Sequence, residues 1–146
     1  MIDDVYNSKL LQFAGNIGRV DQWEAPDAST KATSKLCGST VSIDLKLDDG
    51  RVSDFAQQVK ACALGQATAS IVAENIIGST VEEIRLARKQ MVEMLKEDGE
   101  PPKGRFEELK YLQPVKDYKA RHASTLLVLD ALVDALDQIA QKQAAA

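Results

Sequence analysis

Apolar and polar residues alternate most regularly between Val41 and Leu47, where Val41, Ile43, Leu45 and Leu47 are separated by Ser42, Asp44 and Lys46. A period of two turns successive side chains to opposite faces, so this stretch predicts a strand with one buried face. Asp48, Asp49 and Gly50 follow, and Asp-Gly supplies residues that tolerate the positive φ of a tight hairpin turn. The returning strand is predicted from Val52 to about Lys60. Phe55 and Val59 share one parity while Val52 has the other, which implies a bulge or a short start. Upstream, Ile2 to Phe13 places Val5, Leu10 and Phe13 near one face of a short helix, with Asp3 and Asp4 in its first turn and Gly15 ending it. Asn16 to Lys35 is rich in Gly, Asp, Ser and Thr and predicts an extended connection containing one weak strand at Ala28 to Thr33.

After Cys62 the period changes. Ala63, Leu64, Ala67, Ile71, Val72, Ile76 and Ile77 have helical spacing with many small residues, predicting a mostly buried helix that ends by Gly78. Ser79 and Thr80, each three residues before Glu82 and Glu83, are overlapping capping-box candidates for a helix that carries Ile84, Met91, Met94 and Leu95 and stops near Asp98 and Gly99. The two methionines are expected in the core. Phe106 to Leu112 predicts a short helix before Pro114, and Ser124 to Gln141 a long one. In the latter, Leu126, Leu129, Leu132, Val133, Leu136 and Ile139 form a broad apolar stripe, with Asp130, Asp134 and Asp137 expected on the wet face and the Ala-rich end fraying.

Strands followed by several helices predict an α+β fold, a small antiparallel sheet of about three strands packed against helices. The length of 146 residues implies one domain spanning 1–146. No run approaches the roughly 18 apolar residues of a spanning helix, and Asp3 and Asp4 stand where a secretory signal carries positive charge, so a cytoplasmic protein with no membrane partner is expected. With 22 acidic against 18 basic residues the net charge is −4, which argues against a nucleic-acid partner held by phosphate neutralisation.

Candidate chemistry is confined to few residues. The chain has two cysteines and one histidine, and in a cytoplasmic setting the cysteines are expected as reduced thiols. An isolated Cys is often a small buried hydrophobe. Here, however, Cys37 sits at the entrance to the first strand, Cys62 where a strand hands over to a helix, and His122 just before the last helix. Element ends are where loops gather into sites. A helix N-terminus also favours the thiolate, the nucleophilic and metal-binding form. Two thiolates and an imidazole suit zinc with an open fourth position, or partial ligation of an iron-sulfur cluster.

Leu36-Cys37-Gly38-Ser39 leading into the alternating strand, Asp49-Gly50-Arg51-Val52 with Phe55, Ala61-Cys62-Ala63 opening a small-residue helix, and Arg121-His122-Ala123-Ser124-Thr125-Leu126 together resemble the U-type iron-sulfur cluster scaffold family of NifU-like, IscU and SufU proteins. The resemblance runs in order over nearly the whole chain. The long connection from Glu97 to Arg121 is similar to the SufU-type branch. The chain departs from the family pattern at three places. Ser39 replaces an acid, Ala61 a glycine and Ala123 the closing cysteine, beside which His122 is kept.

The resemblance implies a SufE/NifU-like fold and a scaffold, not an enzyme, that assembles clusters with a cysteine desulfurase and passes them to recipient apoproteins. Carried over residue by residue, it implies that Cys37, Cys62 and His122 bind iron or a nascent Fe-S cluster, with Ser39 as an accessory residue. A cluster takes four ligands, mostly thiolates. Two cysteines would suffice if two chains shared the site as a homodimer, or if an external thiol completed it. The alternatives are a zinc-dependent sulfur acceptor working with the desulfurase, and a metal-free paralogue kept as a partner module.

Overall fold

The computed structural model of the protein describes residues 26–35 and 38–145. The helix expected over Ile2 to Phe13 and its end at Gly15 lie outside the described residues, as does Cys37. Three strands, β1 (Ala28–Ser34), β2 (Ser39–Asp48) and β3 (Arg51–Lys60), form an antiparallel sheet in the order β1-β2-β3. The β2–β3 turn is the expected two-residue hairpin, with Asp49 at φ 52° and Gly50 at φ 77°, the left-handed pair whose twist matches the flanking strands.

The parity conflict in β3 is resolved by a bulge. Lys46 pairs with Asp54 and Leu47 with Val52, leaving Ser53 as the extra residue. Val52 and Phe55 therefore both reach the buried face, alongside Val41, Ile43 and Leu45. On β1 the inward residues are small: Ala28, Thr30 and Ser34 are buried and Ala32 is half-buried. Small side chains let a helix approach closely, and the Thr30 hydroxyl donates to the Ala131 carbonyl at 2.8 Å.

The helical segments that follow pack on this face and on one another. Helix α1 (Ala63–Asn75) is buried on nearly every side, with Leu64, Ala67, Ile71 and Val72 in the core. Helix α2 (Val81–Lys96) opens with a complete capping box: the Glu83 N–H donates to the Thr80 hydroxyl at 3.1 Å, and the Thr80 N–H to the Glu83 carboxylate at 3.0 Å. Met91 and Met94 lie in the core, as expected. The chain leaves α2 through Asp98 at φ 54°.

The short helix expected over Phe106 to Leu112 is instead a 3-10 segment over Gly104–Asp117, kinked at Phe106 and continuing through Pro114. Its buried residues are Phe106, Leu109, Leu112 and Val115. Their spacing of three is the 3.0-residue period of this helix type, so every third side chain anchors it to the core. After a turn at Lys119–Arg121, helix α3 runs from His122 to Ala145, starting before and ending after the expected bounds. It packs against β1, β2, α1 and α2. Two of the aspartates expected on its wet face are paired: Asp130 with Arg88 and Asp137 with Arg85, both at 2.8 Å. Among the described residues no helix is long and apolar enough to cross a membrane.

Candidate functional site

The register Ser34↔Ser39 and Thr40↔Lys60 puts the end of β1, the start of β2 and the end of β3 together, at the opposite end of the sheet from the Asp49–Gly50 turn. Gly38 carries the chain into β2 at φ 66°, a left-handed conformation that suits glycine. Ser39 is the first residue of β2 and is buried opposite Ser34. Two residues after Lys60, Cys62 begins α1.

Cys62 occupies the N-cap of α1 in an extended conformation (φ −66°, ψ 171°), and its side chain makes no capping bond. The residue's carbonyl accepts the first helical bond, from Gln66 N–H at 2.9 Å, and the Gln66 amide donates to the Ala61 carbonyl at 2.7 Å. One glutamine thus fixes both carbonyls of the strand-to-helix junction. An N-terminal turn also presents backbone N–H groups without helical partners, next to the positive end of the helix dipole.

The half-buried Cys62 sulfur lies 3.6 Å from the Ser124 hydroxyl of α3. That hydroxyl in turn lies 3.3 Å from the Arg121 carbonyl, to which it donates. A hydroxyl has one hydrogen, so while Ser124 donates to Arg121 the Cys62 thiol must be the donor to Ser124; a hydroxyl rotor can swing that hydrogen toward a sulfur anion instead. The contact depends on Gly65. A β-carbon there would stand 3.0 Å from the Ser124 carbonyl oxygen and 2.9 Å from the Ala61 β-carbon. The missing side chain is what lets α1 meet the start of α3.

His122 lies two residues before Ser124, roughly 200° around the helix, and is 6% exposed. Its Nε2 stands 3.0 Å from the Val115 carbonyl and 3.1 Å from that of Lys116. Carbonyls only accept, so Nε2 carries a hydrogen, and a neutral ring of this tautomer has its lone pair on Nδ1. His122 and the exposed Ala123 line a pocket of about 410 Å³ together with Leu95, Lys96, Lys116 and Lys119. Lys116 donates to Asp98 at 3.0 Å, and that bond raises the lysine's pKa above its ordinary value.

Of the four candidate residues, Cys62, Ser39 and His122 are described and Cys37 is not. The structure joins Cys62 to Ser124, whereas the described ring nitrogen bonds of His122 run to the 3-10 segment. Among the described residues no three His, Cys, Asp or Glu side chains converge as a metal site. Ser124, Gly65 and the three lysines were not singled out by sequence reasoning for this place. A glycine inside an otherwise good helix was the available signal for Gly65, since it costs roughly 1 kcal/mol relative to alanine unless space requires it.

The sequence pattern of the NifU-like N terminal domain matches residues 5–125. An iron-sulfur cluster assembly scaffold protein IscU of Thermotoga maritima is 30% identical over 142 residues, covering 94% of this chain and 96% of the relative. The crystal structure of a nitrogen-fixing NifU-like protein (N-terminal) from Brucella abortus superposes with a TM-score of 0.95 at 57% identity, covering 97% of this chain and 98% of that one. A putative SUF-system scaffold from Fervidobacterium islandicum shares the fold, with a TM-score of 0.84 at 22% identity over 92% of this chain and 98% of its own.

Proposed function

Because the chain belongs to the NifU-like N-terminal domain family, we propose that it is an iron-sulfur cluster assembly scaffold, not an enzyme, whose Cys37, Cys62 and His122 hold iron or a nascent cluster. The cluster is its cargo. Sulfur arrives from a cysteine desulfurase and the finished cluster leaves for recipient apoproteins.

The observation that carries this reading is Cys62 at an N-cap whose side chain does no capping. Ser, Thr, Asp or Asn at this place would satisfy a backbone donor and contribute about 1 kcal/mol. A half-buried sulfur instead faces the Ser124 hydroxyl with the start of α1 behind it, an environment that accommodates a thiolate bound to iron. The sheet end that carries Cys62 also receives the chain at Gly38, one residue after Cys37 in sequence. For His122, Nδ1 is the nitrogen with a lone pair to offer, because Nε2 is directed at two carbonyls. That arrangement matches the usual way a backbone carbonyl fixes the tautomer of a metal-binding histidine.

The test is metal and acid-labile sulfide analysis of protein purified without air, beside a Cys37→Ala/Cys62→Ala double variant. Iron and sulfide in the native protein and neither in the variant is the expected result. Zinc alone, or no metal, would overturn it.

A further inference from the structure

The chain contains two cysteines, whereas an iron-sulfur cluster takes four ligands, mostly thiolates. Even with His122 counted, one place is unfilled from this chain. Building on the scaffold reading, we propose that the pocket beside His122 binds a low-molecular-weight thiol carrying carboxylate groups, whose sulfur completes the cluster's ligand set.

Three observations lead to this ligand class. The first is charge: Lys96, Lys116 and Lys119 surround one pocket on a protein whose net charge is −4. Lys116 is hydrogen-bonded to Asp98, and neither Lys96 nor Lys119 makes a bond of that kind among the described residues. Ammonium groups so placed suit carboxylates. The second is size. About 410 Å³, with Leu95 and Ala123 as apolar wall, falls within the range of small-molecule sites and exceeds what a single ion needs.

The third is the way the pocket meets the candidate cluster site. His122 is 94% buried as a residue, its Nε2 is turned to the carbonyls of Val115 and Lys116, and the residue lines this pocket. Ala123 lies on the pocket wall and is bonded directly to Ser124, which touches the Cys62 sulfur. A thiol anchored through its carboxylates on the lysines can therefore bring sulfur to the exposed methyl of Ala123, where this chain has no thiol of its own. Coordination forms an Fe–S bond and releases the thiol proton to water. No oxidation state changes.

The experiment has two readouts on the full-length protein. In the first, the metal-free protein is titrated with S-methylglutathione, which keeps the carboxylates and cannot ligate through a thiolate. Saturable binding is expected, weakened about tenfold or more by Lys96→Gln/Lys119→Gln; no binding, or equal binding by the variant, overturns the proposal. In the second, iron and sulfide are reconstituted with glutathione or with cysteamine, a thiol of opposite charge. Wild type is expected to build more cluster with glutathione, and Ala123→Cys to build it equally with either. Equal yields from both thiols in wild type would mean that the lysines only offset the cluster's charge, and the proposal alone would fail. No cluster with any thiol in either protein would sink the scaffold reading, and this proposal with it.

Discussion

Gly65→Ala tests whether the approach of α1 to α3 is what creates the Cys62–Ser124 contact. In an ordinary helix interior the substitution would stabilise by up to about 1 kcal/mol, because glycine loses the most backbone freedom on folding. Here the new β-carbon would stand 3.0 Å from the Ser124 carbonyl oxygen and 2.9 Å from the Ala61 β-carbon. Neither obstacle is the mobile tip of a long side chain, so one helix must shift by a few tenths of an ångström. Overpacking of this kind costs about 1–3 kcal/mol. Set against the propensity gain, the net effect is about 0–2 kcal/mol of destabilisation. The shift also falls on the 3.6 Å contact between Cys62 and Ser124. Urea unfolding with an unchanged m-value would measure the first effect, and peptide-resolved mass spectrometry of iodoacetamide alkylation at Cys62 the second. A variant stabilised by about 1 kcal/mol, with Cys62 alkylated at the wild-type rate, would refute the reasoning.

Other consequences can be measured directly. Thr80→Ala removes the hydroxyl half of the α2 capping box and should cost about 1 kcal/mol in chemical denaturation. The Thr80 backbone N–H, with Arg105 beside it, holds the Glu83 carboxyl below its ordinary pKa. A depressed folded-state pKa gives stability that is present above the unfolded value of about 4.3 and lost as pH falls through the folded one. The stability gap between wild type and Glu83→Gln should therefore narrow on acidification below about pH 4.3, and a gap that widens would contradict the assignment. A double-mutant cycle on Arg88 and Asp130, whose side chains are 42% and 40% exposed, should return a coupling below about 1 kcal/mol. Leu112→Ala, which removes a fully buried anchor of the 3-10 segment, should cost about 2–5 kcal/mol.

The sheet was legible where inward residues are large. Val41, Ile43 and Leu45 announce β2, and the parity clash between Val52 and Phe55 announces the bulge. In β1 the inward Ala28, Thr30 and Ser34 are small because α3 presses against them, so alternation is present in burial but faint in hydrophobicity. The 3-10 segment was misread for a different reason. Proline ends an α-helix, which places a stop at Pro114, but Phe106, Leu109, Leu112 and Val115 recur every three residues and announce the tighter helix. The aspartates of α3 lie on its wet face as expected, but the arginines on α2 that pair with two of them stand across a helix pair that one sequence does not reveal. At the candidate site, chemistry-bearing residue types and their element ends could be read in advance. Which hydroxyl faces Cys62, and which ring nitrogen of His122 is committed, depends on how α3 is rotated against its neighbours, and no local pattern encodes that.

The extra residue at Ser53 works as a phase adjustment between the two ends of the molecule. Side-chain direction along a strand is a two-state count, so one residue more or fewer exchanges inside for outside for everything that follows. By absorbing one count near the Asp49–Gly50 turn, the bulge lets Val52 close the far end of the core while Phe55 and Val59 keep the opposite parity all the way to Cys62. Deleting Ser53 would leave the chain two choices. It could turn Phe55 out of the core, or it could draw the β3–α1 junction back by one strand step, about 3.4 Å, nearly the whole separation of Cys62 from Ser124. The timing of the sulfur is thus set some nine residues upstream of it, on a part of the sheet that touches no chemistry at all.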